Sequence, residues 1–248
     1  MKKNTYSCPT CHSLDVVKNG KTRHGKQNHK CCVCGRQFSG KNAMTTEPLT
    51  EAILLERLMQ ERLSMRAIAR ILCLSLGMAY KRITEVLNPF GDWFEMVQST
   101  DYEHFSSLSI EVDELWTFVD NKKNKTWVWL ARCRETSQFV GLAVGDRSAK
   151  TGQILWASIP EDIRIKSHFY SDYWEAYATF IPKEQHTQSK AETMFIERSN
   201  NALRQRIGRL VRKTSSFSRC IVNLENQIKF FIFHYNQKYN FLLKISDT

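Results

Sequence analysis

The sequence predicts a multidomain chain: a small β module, an all-α module, and an α/β core with a mixed five-stranded sheet. Three observations predict it. Five of the eight cysteines crowd into residues 8–34. Apolar residues then recur at helical spacing between Thr50 and Val86, with short breaks, and from Ser107 period-two apolar runs alternate with helical stretches. The expected boundaries are residues 1–45, 46–90, a linker over 91–106, and a core over 107–248.

In the first module, Cys8-Pro-Thr-Cys11 and Cys31-Cys32-Val-Cys34 form two CxxC knuckles with the spacing of a four-cysteine zinc site. Each knuckle brings two thiolates to one ion from a tight turn, and Gly35 eases the second. The intervening Asp15 to His24 reads as a hairpin turning at Asn19-Gly20. The module is a zinc ribbon with Cys8, Cys11, Cys31 and Cys34 as ligands and zinc in a structural role. Cys32 falls out of register. His12, His24 and His29 are each able to ligate, but four thiolates already complete the tetrahedron. Lys18, Lys21, Arg23, Lys26, Lys30 and Arg36 surround this scaffold as a phosphate-facing or merely solvated surface.

In the second module, Thr50 caps a helix over Glu51 to Leu63 and Ser64 caps Met65 to Leu72. A break at Cys73-Leu74-Ser75 precedes Leu76 to Val86. Helix, short turn, helix outlines a helix-turn-helix, with Ile68, Ile71, Leu72, Leu76, Ala79 and Ile83 spaced to pack the pair. The alternative is an ordinary helical hairpin, since Cys73 stands where glycine is often found. In the first reading Tyr80, Lys81 and Arg82 face the major groove. Cys73, Cys133 and Cys220 sit in apolar settings and read as core fillers.

In the core, strands are expected over Leu108–Val119, Trp127–Arg134 and Phe139–Val144, followed by a helix from Thr151 to Ser158 and a strand His168–Ser171. A helix over Tyr173–Phe180, a brief strand near His186, a long helix from Ala191 to about Leu210 and a closing helix from Leu224 to Phe241 complete it. Three strands, helix, strand, helix, strand, helix is the element order of a ribonuclease H-like fold.

Three acids occupy telling places in that order. Asp113 lies on the first core strand, Asp172 at the end of the fourth, and Glu197 on the long helix. An acid in an apolar strand costs free energy unless a cation or hydrogen bonds compensate it. Carboxylates are the hard oxygen donors that magnesium prefers, and a metal pair can clamp both oxygens of an in-line phosphodiester displacement. Among rival acids, Glu111 shares a strand face with Asp113, Glu114 points the other way, and Glu192 lies about 140° around an ideal helix from Glu197. Glu197, Asn201 and Arg204 share one helix face.

Net charge is +11 and uneven: residues 1–45 carry +8, 46–90 carry +1, 91–189 carry −5 and 190–248 carry +7. Basic ends suit a polyanion such as double-stranded DNA, which the acidic middle repels unless metal ions neutralise it. No apolar run approaches the roughly 20 residues of a membrane span, and Met1-Lys-Lys leads into cysteines rather than an apolar signal core, so a cytoplasmic, nucleoid-associated protein is expected.

The string His186-Thr-Gln, Ile196-Glu197-Arg198, Asn201, Leu203-Arg204, Arg206, Arg209-Leu-Val-Arg-Lys-Thr214, Phe217-Ser218 resembles the C-terminal signature of insertion-sequence-one-type transposases, the enzymes of very small bacterial transposable elements. Val112-Asp113-Glu-Leu-Trp116 and Ser171-Asp172-Tyr-Trp174 are similar to that family's other blocks, and a zinc ribbon and helix-turn-helix precede them in the same order. The resemblance implies a DDE triad of Asp113, Asp172 and Glu197 holding two Mg2+ ions, with Mn2+ able to substitute. It implies DNA transposition by cleavage at the element's ends and strand transfer into a target, in a homo-oligomer. Arg204, Arg206, Arg209, Arg212 and Lys213 then form a DNA track beside the triad. The competing classes are a ribonuclease H-like nuclease or resolvase, and a non-catalytic DNA-binding regulator.

Overall fold

A computed structural model describes residues 6–39, 50–91, 97, 102, 104–211, 213 and 216–246. The chain divides into two compact units, Met1–Leu54 and Leu55–Thr248.

The first unit carries a three-stranded antiparallel sheet of β1 (Val16–Lys21), β2 (Gln27–Cys31) and β3 (Gln37–Ser39). Its small core is Cys8, Val16, Cys31 and Phe38, with the buried His29 ring between Tyr6 and Phe38. The hairpin does not turn at Asn19-Gly20. Gly20, at φ +66°, lies where the register slips between Lys18 and Lys21, and the chain reverses over Thr22–Lys26 with Gly25 at φ +73°. Either glycine can take the left-handed backbone of a turn; the Thr22 N–H to Lys26 carbonyl bond closes the later one.

The second unit includes the helices α2 (Met65–Ile71) and α3 (Leu76–Leu87); α1 (Glu51–Met59) begins before its boundary. Ser64 and Ser75 accept hydrogen bonds from the N–H groups of Ala67 and Met78, both at 3.2 Å, and so cap α2 and α3. Cys73 takes the left-handed position after α2, at φ +53°, and the Leu74 N–H closes on the Ala69 carbonyl at 2.8 Å. That is a Schellman ending with cysteine in the glycine place. Ile68, Ala79, Ile83 and Leu87 are buried, but Ile71 and Leu76 are exposed: they flank the turn, beyond the reach of the pair's shared face. Cys73 and Cys220 are also exposed, each beside a helix terminus rather than inside one, and only Cys133 of the three expected fillers is buried. The helical segment packs on the rest of this unit through Phe230, which joins Leu55, Met59, Ile68, Ile83 and Leu87 in one apolar cluster.

The core sheet has the order β6-β5-β4-β7-β8, with β4 Leu108–Phe118, β5 Lys125–Cys133, β6 Phe139–Gly145, β7 Ser167–Ser171 and β8 His186–Gln188. The first three strands are antiparallel, whereas β7 runs parallel to β4 and β8 to β7. This is the mixed five-stranded sheet of an α/β core. Helix α4 (Ala149–Ser158) packs so closely that a Cβ on Gly152 would lie 2.2 Å from the Phe180 ring. A short α5 (Glu161–Ile165), which follows Pro160 and was not expected, leads into β7.

Helix α1 ends at Met59 rather than at the expected Leu63, and other helical expectations are altered in the core. Residues 173–180 hold only a 3-10 turn over Glu175–Thr179: the Asp172 carboxylate accepts the Trp174 N–H at 2.9 Å in an Asx turn, and Trp174 itself keeps an extended backbone. The long helix is shortened to α6 (Met194–Arg206), preceded by a 3-10 turn over Lys190–Thr193. It ends at Ile207, whose backbone is extended, and the next turn is tied to β4 by Thr117 Oγ1 donating to the Arg209 carbonyl at 2.9 Å. The closing helix α7 spans Ile221–Ser246.

Candidate active site and metal cluster

Four cysteine sulfurs of the first unit lie within 4.8 Å of one another: Cys8, Cys11, Cys31 and Cys34. Cys8 and Cys34 are 3.5 Å apart, as are Cys11 and Cys31. The knuckles are built alike. The His12 N–H closes on the Cys8 carbonyl at 2.9 Å and the Gly35 N–H on that of Cys31 at 3.0 Å, both residues at positive φ. Burial opposes the Cys8 thiolate, yet the N–H groups of Cys11 and Thr10 and the neighbouring thiols bring it down to about 6. A hydrogen bond from Ser13 favours the Cys11 thiolate, but burial and the other three sulfurs push it up to about 12. Holding all four as thiolates needs a cation, and four sulfurs at this spacing fit the tetrahedron of zinc. His29 is packed among rings, and among the described residues no histidine joins the cluster.

The three acids of the core meet at one cleft. A cavity of about 280 Å³ is lined by Asp113, Asp172 and Glu197 together with Arg147, Lys190 and Thr193, and by the rings of Tyr173 and Trp174. Asp113 sits on the central strand opposite Leu130, and Asp172 immediately follows β7, which is parallel to β4 and adjacent to it. Glu197 lies in the first turn of α6. Ser171 Oγ donates to the Asp172 carbonyl and contacts His186 Nε2, each at 2.8 Å, which fixes the strand end that carries Asp172.

Burial, then the charge of Glu114, raises the Asp113 carboxyl from 3.8 to about 7, against a hydrogen bond from Asn200. Asn200 Nδ2 donates to Asp113 Oδ2 at 2.6 Å. Helical spacing places Asn201 on the face of Glu197, but Asn201 is exposed, and it is the neighbour one residue earlier that reaches the strand. A helix periodicity gives a face about 100° wide, within which positions three and four residues on are equivalent.

The rival acids are engaged elsewhere. Glu111, fully buried, pairs with Arg134 Nε at 2.6 Å and accepts the Ile196 N–H at 2.7 Å, which fastens the start of α6 to β4. Glu192 pairs with the same Arg134 at 2.8 Å. Glu114 takes both Arg147 and the Tyr177 hydroxyl; burial raises its pKa despite them. Arg147 in turn lies over the Trp174 and Trp127 rings, at 4.1 and 4.7 Å. Trp174 is therefore a wall of the cleft. Lys190 and Arg147 are site cations that nothing in the sequence pattern singled out.

The cations of the expected DNA track are dispersed. Arg204 is half-buried on α6, Arg206 pairs with Glu61, and Lys213 is exposed. Arg209 is turned inward, donating to Ser218 Oγ at 3.2 Å and the Asn223 carbonyl at 3.4 Å; burial lowers its pKa. It is a brace for the turn after α6 rather than part of an exposed row. Arg212 lies outside the described residues. On α3, Tyr80 and Lys81 are exposed and Arg82 is half-buried, with Lys81 4.0 Å from Glu85. Among the described residues, no helix is long and apolar enough to cross a membrane.

Residues 107–241 match the family model described as IS1 transposase. The chain is 38% identical over 127 residues to the insertion element iso-IS1n protein InsB of Shigella dysenteriae, a stretch covering 51% of this chain and 95% of that protein. It is 34% identical over 112 residues to the insertion element IS1 2 protein InsB of Escherichia coli strain K12, covering 45% of this chain and 65% of the relative. The insertion element IS1 protein InsB of Shigella sonnei is 33% identical over 112 residues, with 45% and 83% covered.

Proposed function

Because the chain belongs to the IS1 transposase family, we propose that it binds the ends of a small insertion sequence as double-stranded DNA and catalyses their cleavage and strand transfer at the cleft of Asp113, Asp172 and Glu197. The observation that carries this reading is the meeting of those three carboxylates from elements far apart in sequence. The strand order and the places of the acids support a ribonuclease H-like core.

The donor set fits a hard divalent cation: three carboxylates, no sulfur, and an Asp113 that burial makes reluctant to ionise without a positive partner. Asp113, Asp172 and Glu197 would hold two Mg2+ ions, or Mn2+, whose chemistry when bound is to acidify an attacking water or 3′ hydroxyl and to stabilise the leaving oxygen. The protein's own residues prepare the site. Asn200 orients Asp113 through its amide. The Glu111 carboxylate, held by Arg134, anchors α6 so that Glu197 faces the strand ends. Lys190 and Arg147 bring positive charge to the rim, where the phosphates of a DNA strand approach.

Zinc at Cys8, Cys11, Cys31 and Cys34 is structural in this reading. Tyr80, Lys81 and Arg82 on α3 serve end recognition, with Arg204, Arg206, Arg212 and Lys213 as backbone contacts. The active complex is a homo-oligomer, because two element ends must be joined to one target.

The test is strand transfer of labelled element ends with Mg2+. The wild-type chain should yield cleaved and joined products, and Asp172→Asn and Glu197→Gln should each abolish both while sparing end binding in a gel-shift assay. Full activity in either variant would remove that residue from the site.

A further inference from the structure

A second cavity, of about 530 Å³, lies on the other flank of α6 from the catalytic cleft. Phe195, Arg198, Ala202 and Arg206 recur along one stripe of the helix and line this cavity, while Glu197 lines the cleft; in a helix the two stripes point in different directions. The floor is Arg132 of β5, only 6% exposed. Its Nε and Nη1 are buried with no hydrogen-bond partner. The nearest acid in register, Glu111, has one oxygen on Arg134 and the other on the Ile196 N–H. No acid lines the cavity, whereas Arg198, Arg206 and the unpartnered Nε2 of His234 do.

A guanidinium buried without acceptors is costly, and the cost disappears when an anion supplies them. The wall beside it is aromatic. The half-exposed Phe195 ring lies 5.7 Å from the Arg132 guanidinium carbon and 5.9 Å from that of Arg198, and Tyr235 and Phe231 continue the lining. The volume falls in the range of small-molecule sites, larger than an inorganic oxyanion fills. A guanidinium fork matches a phosphate, and an aromatic face stacks a base whatever its identity.

We propose that this cavity binds a 5′-phosphorylated nucleotide, with the phosphate on Arg132 and the base against Phe195. The shared chemistry has two sources, a free mononucleotide or the unpaired phosphorylated end of a DNA strand. The second source rests on the DNA reading above, but the site itself does not use the three carboxylates.

The experiment uses the full chain and its Asp113→Asn variant. Binding of deoxyadenosine 5′-monophosphate, deoxyadenosine and inorganic phosphate is measured by calorimetry. Binding of a short single-stranded oligonucleotide is measured with and without a 5′ phosphate. The mononucleotide, or the phosphorylated oligonucleotide over its unphosphorylated form, should bind at least tenfold better than deoxyadenosine or phosphate alone, equally in Asp113→Asn. A response to the mononucleotide identifies a free-nucleotide site, and a response to the phosphorylated end alone identifies a strand-end site. Arg132→Gln should remove the preference for the phosphate, and Phe195→Ser, at the half-exposed mouth where folding is not at stake, should weaken nucleotide binding but not phosphate binding. No preference for a 5′ phosphate in any probe, inorganic phosphate binding as well as the nucleotide, or unchanged binding in both variants overturns the proposal. Loss of catalysis in Asp113→Asn with nucleotide binding intact separates this site from the catalytic one.

Discussion

Replacing Asp113 by asparagine should make the metal-free protein more stable while abolishing its chemistry. The carboxyl is raised from 3.8 to about 7 by burial first and by the Glu114 charge second. The folded chain therefore binds a proton that the unfolded chain has released over that interval, and stability falls as pH rises from about 4 to about 7. Above it, the cost of holding Asp113 ionised is on the order of 4 kcal/mol, since each pH interval of one contributes about 1.4 kcal/mol. Asparagine has no such cost and can still accept the Asn200 amide through its own oxygen. In a chelator, Asp113→Asn should exceed wild type by roughly 4 kcal/mol at pH 8 and by about 1.5 kcal/mol at pH 5. At about 2–4 °C per kcal/mol for a chain of this size, the midpoint should rise by roughly 10 °C at pH 8. Thermal melts at pH 8, 6.5 and 5 read it directly. Mg2+ should stabilise wild type and leave the variant nearly unmoved. A variant no more stable than wild type at pH 8, or an advantage that does not shrink toward pH 5, would refute the account of Asp113 as an uncompensated buried acid.

Three further outcomes follow. Metal analysis should find one zinc per chain, and Cys8→Ser or Cys34→Ser should release it and unfold the N-terminal module, read by loss of its amide dispersion in NMR. Cys73→Gly should stabilise the helical segment by about 0.5–1 kcal/mol, since cysteine holds a left-handed backbone there that glycine adopts without strain; an unchanged or lower denaturation midpoint would count against it. In strand-transfer assays Glu192→Gln should keep most activity, whereas Glu114→Gln should reduce it several-fold by loosening Arg147 at the rim of the cleft, and equal activities would show that the Arg147 network does not serve the reaction.

Much of this is legible in the sequence alone. The strand and helix order of the core follows from period-two and helical patterning, because each element buries one face and its sequence records which. Cysteine spacing gave the four-sulfur cluster for a similar reason: a knuckle is a local turn, and only the meeting of the two knuckles is long-range. What patterning missed is of two kinds. One is competition between local and side-chain hydrogen bonding. The Asp172 carboxylate closes an Asx turn on the Trp174 N–H, Trp174 stays extended, and residues 173–180 hold a 3-10 turn where their spacing reads as a helix. Asn19-Gly20 is the stronger turn signal, yet the chain reverses at Gly25 and uses Gly20 for an irregularity in register. The other kind is contact across elements. Asn200 on α6 touching Asp113 on β4, and Arg209 folding inward under Ser218, depend on how helix and sheet dock, which no single-element period encodes.

The same distinction explains why the acids could be ranked but not assigned in sequence. Near the cleft the chain carries six candidates: Glu111, Asp113, Glu114, Asp172, Glu192 and Glu197. Folding separates them by charge rather than by position. Arg134 takes Glu111 and Glu192, and Arg147 takes Glu114. Among the described residues, Asp113, Asp172 and Glu197 have no ion pair within 4.0 Å, although they line one cavity. A carboxylate already matched to a guanidinium has little to gain from a metal, while three unmatched ones facing a common space repel each other until a cation arrives. The arginines of the turn after β5 and the loop after β6 thus define the candidate metal site by subtraction. Removing one should enlarge the donor set: in Arg134→Met, Glu192 loses its partner, and divalent-ion affinity measured by calorimetry should then depend on Glu192, as it does not in the native chain. Arg134→Met binding the ion no differently with and without Glu192→Gln would show that Arg134 braces α6 and takes no part in sorting the acids.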